Sequence, residues 1–149
     1  MIRISEAPED LCNRPKREPM DALSEVISFL KPQAAMTGVT EGHATWGLEF
    51  SGYDYVKFGF ISKGQCWLTV RGQKNVLLEE GDAWMLIRPL VFRLGSEIAG
   101  PSELSEDVFK KPKPRYILGK PTAKSLKCVV FGGGLWFDNS ISELVLNNL

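Results

Sequence analysis

The sequence predicts a mainly β fold, a small antiparallel barrel or jelly roll with one helix at each end. Three observations point there. Between residues 34 and 95, short runs rich in aromatic and β-branched residues are separated by Gly42, Gly52, Gly64, Gly72 and Gly81, the turn spacing of a sandwich or barrel. Nothing over that stretch alternates strand with helix as a parallel βαβ sheet does. With 149 residues, the chain is one domain with enough material to bury a core unaided by staples.

Residues 1–19 hold Pro8, Pro15 and Pro19 among mixed charges and few large apolar groups, and read as an irregular arm. The domain proper is expected over 20–149. Its first element is a helix, because Leu23, Val26, Ile27 and Leu30 share one helical face. Asp21 is placed to cap its free N–H groups and Pro32 stops it. Strands follow around Trp46-Gly47-Leu48, along Tyr55 to Ile61, from Gln65 to Arg71, from Asn75 to Glu79 and from Ala83 to Arg88.

The segment 99–114 is polar. Glu103, Glu106 and Asp107 precede Lys110, Lys111 and Lys113, with Pro112 and Pro114 interleaved, which predicts a solvated excursion between strands. Cys128 to Phe131 then reads as a strand that runs through Gly132-Gly133-Gly134 into Leu135-Trp136-Phe137. No lysine or hydroxyl residue follows those glycines as a phosphate loop requires, so they predict a bulge or a close backbone approach. After Asp138, Asn139 and Ser140, the residues Ile141, Leu144, Val145 and Leu149 fall at helical spacing. They predict a closing helix that covers the barrel or pairs with another subunit.

Composition excludes several classes of function. Eighteen basic and eighteen acidic residues cancel, which leaves no electrostatic case for nucleic-acid binding by these residues. A single histidine, His43, cannot build a multi-histidine metal site. Cys12, Cys66 and Cys128 are odd in number and widely spaced, as free thiols in a reducing compartment are; Cys66 and Cys128 sit in apolar runs and are expected in the core. No apolar stretch is long enough to cross a membrane. Glu6, Glu9 and Asp10 without an apolar run make no secretory signal. A cytoplasmic protein is expected.

The run Gly64-Gln65-Cys66-Trp67-Leu68, followed by Gly81-Asp82, resembles the β-barrel of the cupin superfamily. In particular it looks like the sensor domain found at the N-terminus of many AraC-type transcription regulators. The helix from Asp21 to Leu30, Trp46-Gly47-Leu48, Phe131-Gly132 and Phe137-Asp138 stand in the same order, so the resemblance covers roughly residues 20–149. It implies a cupin-like double-stranded β-helix.

The resemblance also shows what is missing. Cupins carry a second motif of glycine, five residues, proline, one residue, glycine, two residues, histidine. Counted from Gly81, the last three of those places hold Ile87, Pro89 and Phe92. The glutamate of the first motif falls at Lys57, and a histidine common in the AraC-type subgroup falls at Gly59. A phenyl ring, an ammonium and a glycine cannot coordinate a metal. The expectation is therefore a module without metal or cofactor, and not an enzyme.

Alternation along Tyr55 to Ile61 sets Tyr55, Lys57, Gly59 and Ile61 on one face and Val56, Phe58 and Phe60 on the other. In the cupin register the first set faces the barrel interior. A lysine there either recognises an anion or snorkels to the mouth. Trp46, Tyr55, Lys57, Trp67, Met85 and Phe92 are the candidate ligand-binding residues, with Trp84 as a further wall of an apolar cavity; Trp46, Trp67, Trp84 and Met85 each read first as ordinary core filling. His43, beside Gly42 at a turn, is expected to be solvated, with no partner for general-base work. The expected function is ligand sensing and dimerisation in an AraC-type regulator. A small organic effector would bind in the barrel of a homodimer, and DNA would be reached only through a helix-turn-helix domain outside these residues. The competing expectations are a small metal-free cupin enzyme using Lys57, Tyr55 or His43, and a dimerisation module whose barrel is filled by its own side chains.

Overall fold

Backbone pairing in two sheets organises the part of the chain that the computed structural model describes, residues 2–4, 33–51, 55–88 and 90–136. The strands are β1 (Ile2–Ile4), β2 (Gln33–His43), β3 (Gly47–Phe50), β4 (Val56–Lys63), β5 (Gln65–Val70), β6 (Val76–Glu79), β7 (Ala83–Leu86), β8 (Phe92–Gly95), β9 (Glu103–Leu104), β10 (Tyr116–Gly119) and β11 (Lys127–Trp136). One short helix, α1 (Ser105–Val108), follows β9. The expected helices at Asp21–Leu30 and Ile141–Leu149, the arm beyond residue 4 and Cys12 lie outside the described residues. Ile2–Ile4, read from sequence as irregular, pairs antiparallel with Ala83–Met85 at a sheet edge.

Six strands in the order β1-β7-β4-β11-β2-β10 form one sheet, and five in the order β6-β5-β8-β3-β9 form the other. Both feed one core. Leu48, Leu68, Leu78 and Leu94 come from the five-stranded sheet, and Ile61, Leu86, Leu118 and Val130 from the six-stranded one. The mainly β expectation holds, but the closed barrel does not. Among the described residues no strand pair joins the two sheets.

The physical reason is that the chain changes sheet at glycine corners instead of by continuous pairing. Gly64 turns β4 into β5 at φ +74°, where a Cβ would stand 2.3 Å from the Lys127 carbonyl oxygen, so only glycine fits. Gly81 returns the chain from β6 to β7 at φ +90°. The Asp82 carboxylate accepts from the Glu79 N–H at 2.9 Å, and the Asp82 carbonyl from the Ile61 N–H at 2.9 Å, fixing this turn to β4. The pairing is also not wholly antiparallel. β10 runs parallel to β2 and β9 parallel to β3, which long intervening segments permit and hairpins do not.

The three glycines of β11 behave as both sequence expectations describe. Pairing with β2 slips register between Gly132 and Gly133, a bulge. A Cβ on Gly134 would stand 2.5 Å from the Tyr55 ring, a close approach that the bare backbone permits.

Candidate functional site

Alternation along β4 buries Val56, Lys57, Gly59 and Ile61 and leaves Phe60 exposed. Lys57, Gly59 and Ile61 therefore point inward, as the sequence register predicts. Lys57 is only 7 % exposed. Its Nζ stands 5.4 Å from the centroid of the Phe50 ring and 5.1 Å from that of Tyr55, within cation–π range. Burial lowers its pKa from the usual lysine value.

Lys57 opens on a cavity between the sheets whose wall includes Trp46, Phe50, Trp84, Phe109 and Thr40. Gly132 and Gly133 also border it, so the bulge that carries no side chains makes room there. The cavity measures about 20 Å³, the space of roughly one water molecule. Trp84, in the cavity wall, carries a buried polar group. Its Nε1–H is buried and has no acceptor among the described residues, a loss that typically costs about 1–3 kcal/mol.

Gly59 explains how Trp84 fits. A Cβ at Gly59 would lie 2.5 Å from Cε2, Cζ2 and Nε1 of the Trp84 indole. The ring occupies the room that a histidine at this position would need. Phe92, at the other lost histidine place, stacks on Phe50 with centroids 4.4 Å apart and meets Trp84 edge-on at 5.4 Å. The two places where histidines are expected from the cupin pattern are thus filled with aromatic rings. Among the described residues no three His, Cys, Asp or Glu side chains converge as ligands.

Of the six candidate residues, Trp46 and Lys57 line the cavity. Tyr55 sits beside Lys57 and stacks on Trp136 at 5.2 Å, and Phe92 lies behind Phe50 and Trp84. Trp67 and Met85 are not brought to it. Each is half-buried between strand neighbours that face the core, Cys66 and Leu68 for Trp67, Trp84 and Leu86 for Met85, so both stand on the outer faces of their sheets. Phe50 and Phe109 were not singled out from sequence. Phe50 could have been found by alternation from Leu48. Phe109 follows Val108 in the charged segment 99–114, and that apolar pair was the available signal. The segment is largely exposed, yet Ser105 is buried, and Val108 and Phe109 pack against the core.

A second polar cluster lies elsewhere. His43, expected in solvent, is 8 % exposed. Its Nε2 contacts Glu41 Oε1 at 2.7 Å, and its Nδ1 lies 3.2 Å from Ser125 Oγ. Glu41 also receives Arg115 at 2.5 Å and Lys127 at 3.2 Å. Burial would raise the Glu41 pKa, but hydrogen bonds from His43, Lys127 and Arg115 together outweigh it and lower the carboxyl to about 2. His43 therefore has partners that the sequence did not reveal. None of Glu41, His43 and Ser125 lines the cavity that holds Lys57, so the cluster ties β2 to the chain around β10 and β11.

A family model described as Cupin matches residues 21–149. A relative from Streptomyces antibioticus, named as an AraC-like transcription regulator, is 30 % identical over 132 residues, covering 87 % of this chain and 42 % of its own. One of the same name from Streptomyces lividans is 28 % identical over 131 residues, with the same 87 % and 42 % coverage. The chain spans about two-fifths of the length of these curated relatives. Among solved structures, a DUF861 family protein from Thermotoga maritima aligns over 76 % of this chain and 92 % of its own at 15 % identity and a TM-score of 0.28.

Proposed function

The chain belongs to the cupin family, and from that membership we propose that it is the ligand-sensing and dimerisation domain of an AraC-type transcription regulator. In this reading the two sheets are wound as a double-stranded β-helix that encloses the effector site. The effector is a small organic molecule held without metal. Its unequal affinity for two arrangements of the homodimer shifts their populations. DNA is contacted by a helix-turn-helix domain outside these residues, and the protein works in the cytoplasm. The relatives' names favour a regulator over an enzyme.

One observation carries the reading. Buried Lys57 opens on an aromatic-walled cavity, in the place where the family's catalytic members keep metal donors. A cation and a few polar anchors in an apolar wall are what recognition of a small ligand needs. The cavity's volume of about 20 Å³ favours a second reading, a dimerisation module filled by its own side chains.

Native mass spectrometry of the purified protein separates the two. The sensor reading predicts a dimer that takes up an organic adduct of small mass, and no metal. A dimer that stays bare when offered small organic compounds supports the filled module. A stoichiometric metal contradicts both.

A further inference from the structure

Cys66 and Cys128 are both free and both buried, 1 % and 3 % exposed. They belong to one core cluster but to different sheets, Cys66 to β5 and Cys128 to β11. The Gly64 corner brings the two strands together. A Cβ on Gly64 would stand 3.2 Å from the Cys128 Cα, and Cys66 follows two residues on, turned inward like Leu68. The thiols meet there, Cys66 donating a hydrogen bond to Cys128. That bond, with burial, raises the Cys66 thiol well above its usual value. The same bond lowers the Cys128 thiol against the opposing effect of burial. Cys128 is therefore the readier thiolate, with a second sulfur already beside it.

The pair lies next to the surface. Lys63 and Gln65, on either side of the Gly64 corner, are exposed, and Lys127 is half-buried. Its position between the sheets also matters, because among the described residues no strand pair joins them. A covalent bond from Cys66 to Cys128 would fasten one sheet to the other. It would also restrain the cavity, since Val130, two residues along β11 from Cys128, is part of the cavity wall.

We propose that Cys66 and Cys128 form a redox-sensitive staple, reduced in the resting protein and joined as a disulfide when hydrogen peroxide reaches them. The Cys128 thiolate attacks one peroxide oxygen and the O–O bond breaks, leaving a sulfenic acid and a hydroxide that takes a proton to become water. The Cys66 sulfur then displaces hydroxide from the sulfenic sulfur, and that hydroxide leaves as water with the Cys66 proton. Two thiols are oxidised, one peroxide is reduced and two waters are released. A disulfide of this kind, transient in a reducing compartment, is how intracellular proteins sense oxidants. The staple goes beyond the sensor reading and does not depend on it.

The test uses the whole chain carrying Cys12→Ser, so that only this pair reacts. The folded protein is treated with hydrogen peroxide, then unfolded in guanidinium with N-ethylmaleimide and weighed. It is expected to have lost two hydrogens and to take up no maleimide, whereas the untreated protein, and the treated one after dithiothreitol, take up two. The wild type treated in the same way takes up one, at Cys12. The oxidised form is expected to melt roughly 5–15 °C higher, because the bond closes a loop of about sixty residues in the unfolded chain. Two maleimides after peroxide, oxygen gained on sulfur in place of hydrogen lost, or a bond between two molecules overturns the staple and leaves the sensor reading standing.

Discussion

An ammonium held between Phe50 and Tyr55 is subject to opposing influences. The rings attract the cation, while burial takes water from it and lowers its pKa below the usual 10.5. The consequence for stability has a definite sign. Between the lowered folded value and 10.5, the unfolded chain binds more protons than the folded one, so stability rises with pH across that window. Below it, at neutral pH, the full cost of burying the charge is present. Lys57→Met is expected to raise stability at pH 7 by about 1–2 kcal/mol and to remove the alkaline rise, as urea denaturation from pH 7 to 10 will read. Two residues along the same face, Gly59 is a matter of space. Gly59→Ala puts a methyl 2.5 Å from the Trp84 indole, and the same measurement should show a loss of about 1–3 kcal/mol from overpacking.

At the scale of elements, β2 depends on a carboxylate. It lies between β10 and β11, and Glu41 gathers Arg115, just before β10, with Lys127, the first residue of β11. A carboxyl with a folded pKa of about 2 against a usual 4.5 stabilises the fold fully above pH 4.5, and that stability drains away as pH falls toward 2. Glu41→Gln should lower Tm by several degrees at pH 7 and flatten its dependence on pH over that acid window. Nothing local in the sequence announced this cluster, since Arg115 stands 74 residues from Glu41. The inward turn of Lys57 was legible, because seven alternating residues fix which face is buried. Trp84 and Met85 were not separable in the same way. In the short run Ala83–Leu86 both faces are apolar, and only the pairing with β4 decides which residue enters the core.

For the whole molecule, glycine spacing made the mainly β class readable, because Gly64 and Gly81 stand where backbone sterics require them. The choice between two sheets and one closed barrel was not readable. Which strands pair depends on contacts between distant segments, such as β10 with β2 and β9 with β3. The same limit applied to Phe109, whose excursion has to fold back before the ring can meet Phe50. The function proposed for the molecule rests on the space between the sheets being able to admit a ligand.

That claim is tested most directly by the indole N–H signals of the four tryptophans in an ¹⁵N-labelled protein, recorded while small organic compounds, charged and neutral, are added in turn. Trp84→Phe and Trp67→Phe identify two of the signals. The account predicts that the Trp84 signal moves and saturates as the cavity that its ring borders is occupied, while that of Trp67 on the outer face stays in place. A Trp84 signal that none of the compounds moves, or a response confined to Trp67, would contradict an effector site between the sheets.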